Sequence, residues 1–283
     1  VKYPKISIVT PSYNQGKFIE GTILSVLNQN YPNLEYIIVD GGSTDNSVEI
    51  IKKYQDRISY WVSEKDRGQS HAVNKGFKRA TGDIIGWLNS DDTYLPHCLK
   101  HVEKAFSEHP DADAVYGNIV YTDENSVTLW RRYVPRIYPY EMLLFYTFGQ
   151  PAVFFKRRIL GKIGYVDETL KYTMDQDFFL RMKWQCKMIH INRFLATCRL
   201  QRAMKTLDEK SSEYSQECEF TFNKNKIRKF KNKKVESIYY GAYYFLTIFQ
   251  RFCAIIKGNL FDYMKYKDYK VSHIRKNSKI TWK

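Results

Sequence analysis

The sequence predicts an α/β protein with a mainly parallel sheet flanked by helices, followed by a basic, amphipathic helical tail. Three observations predict it. Buried strand-like runs alternate with helical patterns through the first 120 residues. Polar clusters follow the ends of those runs. The excess of basic charge lies at the far end of the chain. With 283 residues, 43% apolar and 27% charged, the chain is long enough to bury a sizeable core and too apolar to be disordered.

The elements follow in order. Ile6–Thr10 reads as a buried strand, and Phe18, Ile19, Thr22, Ile23, Val26 and Leu27 then follow helical spacing. Leu34–Asp40 is a second strand. Ser43-Thr44-Asp45 offers capping side chains ahead of a helix carrying Val48, Ile50 and Ile51. Ile58–Val62 is a third strand, Gln69–Ala80 a helix stopped by Thr81-Gly82, and Ile84–Leu88 a fourth strand ending in Asn89-Ser90-Asp91-Asp92. Pro96 starts another helix, and Ala114–Tyr116 is a short strand before Gly117. Strands separated by helices in this way build parallel sheets, and ligands of such sheets bind beyond the carboxyl ends of the strands.

From about Leu129 the pattern changes. Val153-Phe154-Phe155 is a short strand, and Arg157–Ile163 a short helix closed by Gly164. Phe178–Trp184, led by Asp175 and Asp177, is another helix; Met188–Ile191 and Leu195–Arg199 are strand-like. These read as a second half of the same domain, so residues 1–125 and 126–223 form two halves of one unit and 224–283 a tail. In the tail, Ile238, Ala242, Phe245, Phe249, Phe252 and Ile256 alternate spacings of four and three, an amphipathic helix.

Charge divides at the same place. Residues 1–223 carry 29 basic and 27 acidic residues, whereas 224–283 carry 16 and 3. The five cysteines are widely spaced with no CxxC pair, which argues against a disulfide framework or a zinc knuckle and for a reducing compartment. The chain opens straight into a strand, with no apolar leader. A cytoplasmic location is the expectation.

Among the acids, Asp91-Asp92 follows a buried strand, where unpaired carboxylates are costly unless a cation or donor meets them. Hard oxygen ligands suit Mg²⁺ or Mn²⁺, which retain waters and bridge to phosphates. A solvated turn or an N-cap for the Pro96 helix is the alternative reading of the same residues. Asp40-Gly41-Gly42-Ser43-Thr44-Asp45 ends a strand with glycines that permit close backbone approach, without forming a Walker loop or GxGxxG. Asp40 there could accept hydrogen bonds from a base or ribose, or close an ordinary tight turn. Asp175 opens a helix whose dipole favours its ionised form, and it serves equally as an N-cap or as a base. The histidines form no HExxH pair, and there is no G-x-S-x-G elbow.

Five segments in order together resemble the family-2 glycosyltransferases: Ile8-Val9-Thr10-Pro11-Ser12-Tyr13-Asn14, Ile38–Asp45, Glu64–Gly76, Gly82–Asp92 and Asp175-Gln176-Asp177-Phe178-Phe179-Leu180-Arg181. The match covers roughly residues 4–200. It implies a GT-A fold, Rossmann-like in its nucleotide-sugar-binding half and with an acceptor half beyond, and an inverting transfer from a nucleotide sugar with UDP the expected donor. It implies that Thr10, Pro11 and Tyr13 line the nucleotide pocket, that Asp40 and Asp66 contact base and ribose, and that Asn74 belongs to the donor segment. Asp91, helped by Asp92 or waters, holds the divalent metal, Asp175 is the general base, and Gln150-Pro151-Ala152 lies near donor or acceptor. Asn89 stands where the family's D-x-D has its first acid, so it can bond a ribose hydroxyl but is a weak metal ligand. Val73 stands where many members carry Arg, with Arg67 nearby, and Gln201 stands where many carry a metal-reaching His.

The tail has two rival readings. Its apolar stripe beside lysines suits a helix lying on an anionic membrane surface, at the inner face of the cell membrane, with a saccharide or lipid-linked acceptor. Packing on the body is the plain alternative. Nucleic acid is not the expected partner, because no recognised module accompanies the basic residues. The rival to a transferase is a nucleotide or polyanion binder without turnover. A nucleotidyltransferase needs a basic Gly-rich loop after the first strand, and Thr10–Gly16 has none. Oligomeric state is not fixed by the sequence.

Overall fold

The computed structural model describes residues 3–134, 149–201 and 212–225. Its first half is the predicted alternation. Strands β1 (Ile6–Ser12), β2 (Leu34–Asp40), β3 (Tyr60–Ser63) and β4 (Ile84–Trp87) are parallel in the order β3-β2-β1-β4. Helices α1 (Ile19–Leu27), α2 (Ser47–Lys53) and α3 (Gln69–Arg79) connect them. Successive strand residues face opposite sides of the sheet, so each strand feeds two cores. Ile6, Ile8, Tyr36 and Ile38 pack with Ile19 and Ile23 of α1, and Val9, Ile37 and Val39 pack with Val73 and Phe77 of α3. At Gly76 a Cβ would fall 2.2 Å from Val9 Cγ1, so the absence of a side chain lets α3 lie directly on β1.

The second half does not form a layer against the first sheet; it extends that sheet. Its elements are β5 (Thr93–Tyr94), α4 (Cys98–Glu108), β6 (Ala114–Thr122), β7 (Thr128–Arg132), β8 (Val153–Lys156), α5 (Leu160–Ile163), α6 (Met174–Gln185), β9 (Met188–Arg199) and α7 (Ser212–Lys224). Strand β8 runs antiparallel between β4 and β6, and β9 is parallel to β6. The described strands form one nine-stranded sheet ordered β3-β2-β1-β4-β8-β6-β9-β5, with β7 on β6. The two halves share an aromatic cluster: Phe77 lies 5.5 Å from Phe155 and 5.8 Å from Phe178, ring centre to ring centre.

Several elements differ from expectation. Ala114–Thr122 is nine residues, not a short strand, and Met188–Arg199 is one strand of twelve, bulged where it passes β6. Arg193 and Asn192 are exposed mid-strand, which broke the apolar pattern that strand reading relies on. The helix expected at Pro96 begins at Cys98, with His97 in the left-handed region (φ 64°) just before it. The stripe Ile238–Ile256 lies outside the described residues.

At the amino ends of the strands, Glu35 ties three segments together. It accepts from Lys5 Nζ (2.8 Å), Ser7 Oγ (2.5 Å), Thr81 N (2.8 Å) and Thr81 Oγ1 (2.7 Å). Burial pushes its carboxyl up, but the bonds from Lys5, Ser7 and Thr81 outweigh burial and hold it at about 2, below the ordinary 4.5. A carboxyl lowered in the folded state stabilises above its unfolded value and loses that contribution as pH falls through the folded value. Glu35→Gln is therefore expected to cost about 2 kcal/mol at pH 7. In urea denaturation, the gap between wild type and variant should narrow steadily from pH 4.5 toward pH 2; a constant gap contradicts the assignment.

Candidate active site

The loops after β1 and β2 are bonded to each other, and the loop after β4 is bonded to the end of β9. The β1 loop is latched to the β2 loop: Asn14 N donates to Ser43 Oγ (2.8 Å), Thr44 N to Asn14 Oδ1 (2.9 Å), and Gly16 N to Asp45 Oδ2 (2.8 Å). Asn14 takes the left-handed conformation (φ 51°), open to Asn at modest cost. Above this latch Tyr13 is 59% exposed. Thr10 and Pro11 are buried in β1 beneath it, and Thr10 Oγ1 accepts from Tyr36 (3.3 Å). They support the loop and do not line its surface.

Asp40 is likewise inside the fold. Its carboxylate accepts Gly42 N, Ser43 N, Ser43 Oγ and Ser63 Oγ at 2.6–3.1 Å and is 0% exposed. These four bonds order the turn after β2. Asp66 remains half-buried beside the loop; it accepts Gly68 N (2.8 Å), and its Oδ2 would lie 2.5 Å from a Cβ at residue 41, which is why Gly41 fits there. Asn74 lies in α3. Its amide donates to Val166 O (2.9 Å) and Glu168 Oε1 (3.0 Å) and accepts Val166 N (3.0 Å), so it joins α3 to the segment before α6. Arg67 pairs with the same Glu168 at 2.7 Å.

The acidic loop after β4 is the centre of the site. Asn89 is half-buried in an amide chain: its oxygen accepts Trp87 Nε1 (2.9 Å) and Gln69 Nε2 (3.0 Å), and its nitrogen donates to Gln150 Oε1 (3.0 Å). Gln150 in turn donates to Trp87 O (2.6 Å). Asp92 is 3% exposed and its carboxylate accepts Arg199 N (2.8 Å), while its carbonyl accepts Thr22 Oγ1 (2.7 Å). It faces the interior. Asp91 is nearer the surface, and its Oδ2 accepts Gln201 Nε2 at 2.6 Å. Burial raises both carboxyls above their ordinary range. For Asp92 the charge of Asp91 adds to burial, and for Asp91 the Gln201 bond opposes it. Among the described residues no three His, Cys, Asp or Glu side chains converge to hold a metal.

Two residues that sequence reading did not single out hold this loop. Arg199, 5% exposed, donates from Nε to Asp91 O (2.9 Å) and from Nη1 to Asp123 O, Glu124 O and Ser126 Oγ (3.0–3.1 Å), with its guanidinium 4.8 Å above the Phe18 ring. Gln150 was noted only through resemblance. Neither has a sequence signal, because their partners are backbone atoms of distant segments.

Asp175 lies in the first turn of α6. Thr173 occupies the N-cap position, so Asp175 is not the cap, and its Oδ1 accepts the adjacent Gln176 N (2.8 Å). Asp177 is fully buried, bound to Arg181 (2.9 Å) and Asn225 (2.9 Å). The Cys198 thiol is pushed well above its usual range by burial, and the charges of Asp92, Asp91 and Asp175 all add to that. Asp175 therefore stands within electrostatic reach of the same thiol as the Asp91-Asp92 loop, although the two come from opposite halves of the sheet.

Residues 7–170 match the sequence profile described as glycosyl transferase family 2. The chain belongs to glycosyl transferase family 2. Relatives of this family-2 chain include an uncharacterized glycosyltransferase of Rickettsia typhi, 32% identical over 191 residues, covering 63% of this chain and 58% of that protein. Another from Methanocaldococcus jannaschii is 31% identical over 188 residues, covering 63% and 64%. The chain thus spans about six tenths of the length of these relatives. Among solved structures, S. aureus TarS 1-349 in complex with UDP-GlcNAc superposes with a TM-score of 0.58 at 21% identity, over 71% of this chain and 60% of that one. The mannosyltransferase PcManGT of Pyrobaculum calidifontis, in complex with GDP-Man and Mn²⁺, gives 0.61 at 17% identity, over 82% and 67%. At these identities the likeness establishes the GT-A fold.

Arg199→Met leaves Asp91 O and three hairpin acceptors without their donor. It is expected to cost about 3 kcal/mol, read from the urea midpoint. A loss below about 0.5 kcal/mol, the range of an ordinary surface change, contradicts the clamp.

Proposed function

We propose that this chain moves a sugar from a nucleoside diphosphate donor, UDP being the expected nucleotide, to a hydroxyl of a saccharide or lipid-linked acceptor in cell-surface polysaccharide or glycoconjugate synthesis. The observation that supports this is that Asp91 and Asp175, from different halves of the sheet, both act electrostatically on the buried Cys198 thiol of β9. A carboxylate at the donor side and a second at a helix start are what a single displacement needs. Asp175 takes the acceptor's hydroxyl proton as its oxygen bonds to the anomeric carbon, and the bond from that carbon to the diphosphate breaks on the opposite face. The anomeric centre inverts. Tyr13, Asp66 and Asn89, the exposed or half-buried members of the loop set, are assigned to the nucleotide.

A divalent cation fits this site as a partner of one protein carboxylate. Asp91 is raised by burial against the Gln201 bond, and its carboxylate would hold Mg²⁺ or Mn²⁺, which would neutralise the diphosphate. When bound, the cation offsets the charge developing on the leaving diphosphate. The solved relatives with UDP-GlcNAc and with GDP-Man plus Mn²⁺ support this class of donor and cation.

Calorimetric titration of UDP and GDP with and without Mn²⁺ tests the donor site. UDP is expected to bind more tightly with Mn²⁺, and Asp91→Ala to abolish that dependence. Asp175→Asn is expected to lower turnover by about 10²–10⁴-fold with nucleotide affinity unchanged. Nucleotide binding with no turnover of any donor favours the binder reading, for which the Gln201 amide on Asp91 is the supporting observation.

The acceptor class rests on the basic tail. Among the described residues no helix is long and apolar enough to cross a membrane. We assign 226–283 to an anionic lipid surface on the cytoplasmic face, from its lysines and the apolar stripe. Co-sedimentation with phosphatidylglycerol vesicles is expected for the full chain and lost on deletion of 226–283, which leaves the anchoring Lys224 and Asn225 in place. Equal pelleting of both proteins contradicts the assignment.

A further inference from the structure

Helix α7 comes from the far end of the described chain, yet it is bound to the turn that carries Asp175. Glu217 Oε1 accepts Tyr172 N (2.7 Å), Thr173 N (2.6 Å) and Thr173 Oγ1 (3.0 Å), and its Oε2 accepts Lys171 N (3.0 Å). One carboxylate thus gathers three consecutive backbone N–H groups and a hydroxyl. Thr173 Oγ1 also meets Thr221 Oγ1 of α7 at 2.7 Å. One turn further along, Lys224 Nζ bridges Asp167 (2.7 Å) and Asp177 (3.0 Å), and Asn225 Nδ2 donates to Asp177 Oδ1 (2.9 Å). These bonds bracket Asp175 on both sides: Lys171–Thr173 before it and Asp177 after it.

Thr173 is the N-cap residue of α6 but makes no side-chain cap bond to its own helix. Its hydroxyl is committed to α7. The geometry of the first turn of α6 is therefore set from outside, by Glu217, and Asp175 sits two residues after the last N–H that Glu217 holds. Charged acceptors of several N–H groups make strong, short bonds, and a negative group beside a helix start is further favoured by the helix dipole.

We infer that Glu217 is a positioning residue for the reaction: it fixes the Lys171–Thr173 turn so that the Asp175 carboxylate faces the acceptor hydroxyl. The inference rests on Asp175 being the general base. Its consequence is that α7 is part of the catalytic apparatus, since removing the Glu217 carboxylate releases the turn's three backbone N–H groups without touching the donor loops. A displacement of about 1 Å at a catalytic group costs on the order of 10²-fold in rate.

The test is a double-mutant cycle on the full chain, with turnover of a UDP-sugar and UDP affinity measured together. Glu217→Ala is expected to lower kcat by about 10–100-fold while UDP affinity stays within about twofold, the range of a small perturbation. Glu217→Gln, which keeps Oε1 for three of the four bonds, is expected to recover most of the rate. In the Asp175→Asn background, the same Glu217→Ala change is expected to add less than about twofold, because residues acting as one unit are not additive. Full turnover in Glu217→Ala, or the same loss with and without Asp175, overturns the inference. If Glu217→Ala fails to fold, Thr221→Val, which removes only the Thr173 contact, takes its place with a smaller kcat loss expected; unchanged kcat there is equally contrary. Unchanged turnover in Asp175→Asn alone overturns the reading of the base instead, so the two failures are separable.

Discussion

Asp91 and Asp92 are adjacent carboxylates in a loop where burial raises both, and the site depends on how β9 makes that pair tolerable. The backbone N–H of Arg199 bonds the inner carboxylate, the Gln201 amide bonds the outer one, and the Arg199 guanidinium holds the loop carbonyl and the β6–β7 hairpin. Burial outweighs these bonds and the charge of Arg199, so both carboxyls stay raised. The inner one is resolved by a high carboxyl range and full enclosure. The outer one is left half-buried, where the proposed cation would relieve it. The division of labour between neighbours in sequence thus follows from which of them the strand covers.

The fold was legible where the chain repeats a simple pattern. Strands β1, β2 and β4 are apolar runs buried on both faces, β3 is a half-buried edge strand, and the helices between them show a clear stripe, so sequence reading placed them to within a few residues. The second half was harder because its strands obey neither rule. Strand β9 exposes Asn192 and Arg193 in mid-course, β5 has two residues, and β7 is half-exposed throughout. Helix α7 has little apolar face to read; it is held by Glu217, Thr221 and Lys224, whose partners are backbone atoms and acids forty to sixty residues away.

The site was legible as a set of loops and less so as a set of side chains. The segments around Thr10, Asp40, Asp66 and Asp91 do gather at one edge of the sheet, and Tyr13, Asp66, Asn89, Asp91 and Asp175 remain accessible or half-buried there. Thr10, Pro11, Asp40, Asn74 and Asp92 are buried. In a polar loop at a strand end, the same residue types both shape the backbone and meet a ligand, and only burial separates them. Asp40 and Asp66 have similar sequence surroundings, yet four internal donors enclose the first and one backbone N–H meets the second. Arg199 and Glu217 had no motif at all, since each acts on the main chain of a remote segment.

The central claim is that one cleft unites Asp91 from the parallel half with Asp175 from the mixed half. A crystal structure of the full chain with UDP and Mn²⁺, with anomalous data to locate manganese, tests it most directly. The account expects a manganese peak against the Asp91 carboxylate, released from Gln201, with the diphosphate on its far side and Asp175 across the same cleft from the β-phosphate. Manganese or UDP bound elsewhere, or Asp175 walled off from the nucleotide, contradicts it.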